Sequence, residues 1–168
     1  MTRTKWFRPG GLSRVAREEL GLERGEHVIA SGSTRGGDRV VATDRALHLP
    51  GRTRVGWEEI EHATWRSGWL HVRETVVLGQ EPREHHARLT EPDALPETVR
   101  ERVTASIVLS RYVQLDHRRG VRIVARRRPG STQLVWTLVF DAGLDPQDPD
   151  VRTWAEQMLD DVRRQTVS

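Results

Sequence analysis

The chain has 168 residues, 36% of them hydrophobic and 30% charged, which suffices for one packed domain or a small domain with an extension. It has no cysteine, which excludes disulfides, zinc ribbons, iron–sulfur clusters and thiol nucleophiles, and no run approaches the roughly 18 apolar residues of a membrane span. Net charge is +3 although the pI is near 10.4, because Lys5 is the sole lysine among 27 basic residues and arginine titrates far higher.

Residues 1–11 carry Arg3, Lys5 and Arg8 and then Pro9-Gly10-Gly11, which predicts a flexible basic arm on which Trp6 and Phe7 dock back. This start lacks the apolar core of a secretory signal, so a cytoplasmic protein is expected. Ser13 is placed to cap a short helix that runs to Leu20 and stops at Gly21. The period then changes to that of strands, predicted at 26–31, 38–43, 46–49, 53–57, 59–65, 69–75 and 85–89. Gly36-Gly37, Asp44-Arg45, Pro50-Gly51 and Ser67-Gly68 are the turns between them. Links this short impose antiparallel pairing, since a parallel crossover needs about a dozen residues.

Pro96 in a first turn, followed by Glu97, begins a helix that presents Val99, Val103 and Ile107 at spacings of four, an apolar face suited to lie across a curled sheet. Three more antiparallel strands are predicted at 112–116, 120–127 and 133–141. Asp148 then caps a last helix with Pro149 in its first turn. Its stripe of Val151, Trp154, Met158, Leu159 and Val162 requires a packing surface.

Seven short antiparallel strands followed by one amphipathic helix resembles the bacterial PH-like and GRAM-like domains. The likeness is carried by Gly-Glu-His-Val-Ile-Ala at 25–30, Val-Ala-Thr-Asp-Arg-Ala-Leu-His-Leu at 41–49, Arg-Val-Gly-Trp-Glu-Glu-Ile at 54–60 and the helix from Pro96. Ala46 stands where that pattern has arginine in the Thr-x-x-Arg-Leu hairpin. The whole chain also resembles small actinobacterial proteins, through Arg-Arg-Pro-Gly at 127–130 and Gly-Leu-Asp-Pro at 143–146. The resemblance implies an α+β, strand-rich fold: a PH-like curled antiparallel barrel with a capping helix over 12–110, then a three-stranded meander and a C-terminal helix over 111–168. Members of such superfolds bind phosphoinositides, peptides or proteins. The lipid binders use a basic cluster at the first hairpin loop, where this chain offers Arg35 and Arg39 but no lysine.

Five constellations remain. The glycine-rich loop 31–38 has room to cradle an anion, yet it lacks P-loop spacing and opens no helix, so it reads first as a hairpin loop. Arg118, Arg119, Arg122, Arg126, Arg127 and Arg128 crowd one strand and its turns, with Arg122, Arg126 and Arg128 on one face. That stripe suits phosphates of nucleic acid or anionic lipid, or equally forms a solvated edge paired with Asp116, Asp141, Asp160 and Asp161. His85 and His86 are neighbours on a strand and face opposite ways, so they are not read as a metal site, and no metal or cofactor is expected. Glu58, Glu59, Glu61 and His62 form a run that reads as an exposed turn without a paired nucleophile, and no catalytic motif is found. Trp65 and Trp69 flank a turn and are the candidate partner-binding pair. The expectation is a non-catalytic binding module that engages a protein through Trp65 and Trp69. The alternative is nucleic-acid or anionic-membrane binding through the arginine-rich strand 118–128, with Arg35 and Arg39 as further anion contacts.

Overall fold

The structure, a computed structural model, describes residues 14–76 and 80–166. The basic arm at 1–11 and the cap at Ser13 lie outside the described residues. Helix α1 spans Arg14–Glu19 and buries none of its side chains. It stops where expected, because Gly21 adopts a left-handed φ of 68° and its N–H closes onto the carbonyl of Glu18.

Seven strands follow: β1 Val28–Thr34, β2 Arg39–Thr43, β3 Ala46–Leu49, β4 Thr53–Gly56, β5 Ile60–Arg66, β6 Trp69–Glu74 and β7 Glu84–Glu91. They form one antiparallel sheet in the order β4-β3-β2-β1-β7-β6-β5. Local chemistry sets the turns. The Thr43 hydroxyl accepts the N–H groups of Arg45 and Ala46, a side-chain turn that reverses the chain between β2 and β3. Ser67 and Gly68 both take positive φ, 51° and 83°, the twist that a two-residue hairpin requires between β5 and β6.

Each of the seven strands supplies a side chain to a single buried cluster that includes Ala30, Val40, Leu47, Val55, Ile60, Leu70 and Leu89. A sheet this wide reaches one core only by curling. The curl does not close, since β4 and β5 end the sheet without pairing and are joined through a 3-10 turn at Trp57–Glu59. The structure therefore shows a curled antiparallel sheet; a closed barrel is not seen. Helix α2, Leu95–Ala105, lies chiefly on β5, with β1 and β2, and buries Leu95, Val99 and Val103. Each such side chain contributes on the order of 1.5–3 kcal/mol of burial. Ile107, expected on this helix, is instead the first residue of a strand, because Ser106 caps the helix and its hydroxyl turns back to the carbonyl of Val103.

A second, three-stranded antiparallel sheet comprises β8 Ile107–Gln114, β9 Gly120–Arg127 and β10 Leu134–Phe140, with β9 in the middle. β8 starts earlier than the predicted 112, since the chain passes from α2 into the strand with only Ser106 between them. Helix α3, Pro149–Thr166, is capped by the Asp148 carboxylate, which accepts from the N–H groups of Asp150 and Val151. It packs Ala155, Val162, Trp154, Met158 and Leu159 against Val121, Ile123, Leu138, Trp136 and Phe140. The molecule is thus α+β and strand-rich, with a seven-stranded sheet, a three-stranded sheet and a C-terminal helix. No helix among the described residues is long and apolar enough to cross a membrane.

Candidate binding surfaces

The β5–β6 hairpin brings Trp65 and Trp69 near one turn but not onto one face. Trp65 stands opposite Leu70, whose side chain enters the core, whereas Trp69 stands opposite Arg66 and, on the other side, Arg88. Directly paired residues share a face, so the two indoles lie on opposite sides of the hairpin. They are 38% and 39% exposed, while Trp57 is buried in the core with its indole N–H donated to the carbonyl of Thr43 at 2.9 Å. The Arg88 guanidinium sits 5.9 Å from the Trp69 ring centroid, within cation–π range. Among the described residues neither Arg66 nor Arg88 has a carboxylate partner.

The predicted arginines do not gather into a single patch. Arg35 and Arg39 are exposed on the β1–β2 hairpin of the seven-stranded sheet, and the others belong to the three-stranded sheet. β1 runs through Thr34, so much of the loop expected at 31–38 is strand. Gly32 is there because its backbone lies against Glu91, where an added Cβ would stand 3.0 Å from the carbonyl oxygen. Arg118 is exposed. Arg119 is clamped by Asp116 at 3.0 and 2.7 Å and by the carbonyl of Gly143 at 2.7 Å. The backbone N–H of Arg118, followed by the Arg119 side chain, holds the Asp116 carboxyl down to about 2. Arg122 lies over the Tyr112 ring at 5.7 Å, and Tyr112 donates its hydroxyl to Asp141. That bond pushes the phenol up and holds the carboxyl below its usual range.

Arg126 shares a face with Arg122, as alternation requires, but it is only 3% exposed. Its guanidinium donates to the carbonyl of Val103 at 3.0 Å, the Ser106 hydroxyl at 2.8 Å and the carbonyl of Glu61 at 3.0 Å. Two of these acceptors belong to the end of α2, where the helix dipole favours a cation. Burial draws this guanidinium below its ordinary range. Arg126 therefore ties β9 to α2 and β5, while Arg128 is paired with Glu58 at 2.8 Å. That bond raises the Arg128 guanidinium. Glu58, expected on an exposed turn, is buried, because the 3-10 turn folds it inward beside Trp57.

A cleft of about 210 Å³ lies between the end of α2 and the β9–β10 turn. Arg102, Arg127 and Arg128 line it, as do Asp44 and Trp57. Among the described residues Arg102 and Arg127 have no acidic partner. Arg127 belonged to the crowded strand in sequence, but nothing in the chain's pattern marks Arg102, which comes from a helix 25 positions earlier.

A buried polar group beneath the β2–β3 hairpin also escaped the sequence reading. Glu26 is fully enclosed and accepts from Thr43, from His48 Nε2 at 2.8 Å and from the N–H of Glu23 at 2.8 Å. Burial alone would raise its carboxyl, but the bonds from His48, Thr43 and Glu23 together hold it below the usual value. These bonds seal the mouth of the hairpin.

Comparison with known protein families, with curated proteins and with solved structures finds no match to this chain.

Proposed function

We propose that this chain is a non-catalytic, cytoplasmic binding module of PH-like type, which engages a protein partner through the tip of the β5–β6 hairpin. The fold reading is supported by seven antiparallel strands in one curled sheet followed directly by a helix that buries an apolar face on it. On that reading 12–110 form the PH-like part, and 111–168 a meander with its packed helix. The observation that carries the site is the pair of indoles, each more than a third exposed, at a turn flanked by Arg66 and Arg88 without acidic partners. Tryptophan and arginine are the side chains that most often anchor interfaces. With one indole on each side, the tip is shaped to enter a groove, and its charge selects a partner segment that carries carboxylates beside an apolar residue. The test is affinity capture from a native cytoplasmic extract with wild-type protein and with Trp65→Ala and Trp69→Ala, each checked for fold by its melting transition. Loss of the same captured protein in both folded variants supports the site; unchanged capture removes it.

A second reading is anion binding, favoured by the cleft where Arg102 and Arg127 stand unpaired beside Arg128. The opening suits a phosphate group of RNA, DNA or a lipid headgroup. Binding of single-stranded RNA or anionic vesicles that weakens steeply with salt, and weakens further in Arg102→Gln and Arg127→Gln, is the expected result. Salt-insensitive or absent binding overturns it.

A further inference from the structure

The β6–β7 ladder places His71 directly opposite His86 on the outer face of the sheet. Their Nδ1 atoms are 2.6 Å apart, with ring centroids at 4.7 Å and planes at 76°. Two imidazole nitrogens that point at each other leave room for one proton between them, so one ring must donate and the other accept. The same convergence of lone pairs suits a metal ion. At zinc–nitrogen distances of about 2.0–2.1 Å and a tetrahedral angle, two ligating nitrogens stand roughly 3.3 Å apart, a small side-chain rotation from the present spacing.

We propose that His71 and His86 form a two-imidazole chelate for a borderline divalent transition ion such as copper or zinc. Imidazole is the donor these ions prefer, and copper should bind the more tightly. Among the described residues no third histidine, aspartate or glutamate completes the set, so the remaining coordination positions fall to water. His85, adjacent in sequence, takes no part: it stands opposite Val72 on the inner face and is held by Glu74 at 2.7 Å. The groups sharing the outer face with the pair are His62 and Arg66 on β5, Arg73 on β6, and Glu84 and Arg88 on β7. Arg73 is ion-paired with Glu61 and Glu84 at 4.0 and 3.9 Å, and Glu61 also reaches His62 at 3.4 Å, so Arg66 and Arg88 are the charges that oppose a cation here. With two ligands the site is weaker than a four-ligand one. The Trp69 ring lies 6.4 Å from His71, so the site contains its own optical reporter.

The experiment titrates the full chain with copper(II), reading tryptophan fluorescence, and separately with zinc, reading the melting temperature. The expected result is a saturable one-to-one quench, reversed by chelator and much reduced in Trp69→Phe, together with a rise in melting temperature with zinc. Binding should weaken on acidification, because protons compete with the metal for the same nitrogens. Even loss of a supporting partner costs a metal site about 10–100-fold, so His71→Gln and His86→Gln should each lose about tenfold or more in affinity. His85→Gln and His62→Gln should bind as the wild type does. If His71→Gln does not fold, His86→Gln, whose side chain stands exposed, decides the matter. A quench that does not saturate, that persists in a folded His86→Gln protein, or that is lost equally in His85→Gln overturns the site.

Discussion

The guanidinium of Arg126 donates to the hydroxyl of Ser106 at 2.8 Å, so the middle strand of the second sheet is fastened to the residue that ends α2. The same side chain reaches the carbonyl of Glu61 on β5, at 3.0 Å. One buried cation thus joins the two sheets where the helix dipole is negative.

Removing that cation should loosen the junction. Arg126→Ala leaves the carbonyl of Glu61 without this donor, at a cost of about 1–3 kcal/mol if it stays dry. It also removes a buried side chain that bonds Val103 and Ser106, although the Val103 carbonyl keeps the Ser106 hydroxyl. The expected outcome in urea unfolding is a loss of about 3 kcal/mol or more, with fluorescence and circular dichroism no longer coincident as the halves uncouple. Arg126→Met retains volume and should lose less than Arg126→Ala; equal stability of wild type and Arg126→Ala would contradict the role.

Glu26 predicts an acid limb. Its carboxyl is held below the ordinary glutamate range in the folded protein, so folding is stabilised where the unfolded carboxyl is ionised. That contribution is fully present above about 4.5 and is lost as pH falls through the folded-state value. Denaturant midpoints measured from neutral pH to pH 3 should fall steeply on the acid side. Glu26→Gln should be less stable at neutral pH and show a shallower acid limb; parallel profiles would show that the carboxyl is not coupled to folding.

The tryptophans should separate by stability as well as by role. Trp57 is buried and donates its indole N–H, so Trp57→Ala should cost about 3–5 kcal/mol, if the protein folds at all. Trp69→Ala, on the outer face of the hairpin, should cost below about 1 kcal/mol. Thermal melts of the two variants give the comparison, and similar losses would argue against the assigned faces.

Glycines 32 and 36 discriminate strand from loop. A Cβ at Gly32 would meet the carbonyl oxygen of Glu91 at 3.0 Å and side-chain atoms of Leu95 and Leu89 at 3.2 and 3.3 Å, whereas at Gly36 the nearest atoms are 3.9 Å away. Gly32→Ala should therefore lose about 1–3 kcal/mol and Gly36→Ala about 0.5 kcal/mol or less. A reversed order in chemical denaturation would mean that β1 does not continue through Gly32.

Much of the strand pattern was legible because turns are local. Thr43-Asp44-Arg45 and Ser67-Gly68 reverse the chain through their own hydroxyl or their own positive φ, and short links between apolar runs leave antiparallel pairing as the available arrangement. The switch at Ser106 was not legible in that way. Ile107 continues the i+4 apolar spacing of Val99 and Val103, and only the cap formed in three dimensions ends the helix before it.

The candidate sites divide along the same line. Alternation along a strand correctly separated His85 from His86 and put Arg126 on the side of Arg122, because side-chain period is a property of the extended backbone. Whether a residue of given parity meets solvent, a partner or a core depends on what packs opposite it, and that is set by contacts between segments far apart in the chain. Arg126 became a buried tie and Arg102 came to line one cleft with Arg127 because a sheet curled and a helix ended where they did, and His71 met His86 because the β6–β7 register set them opposite each other. Backbone periodicity is written locally; the register between distant strands, which decides who faces whom, is a balance of packing energies that no short window of residues contains.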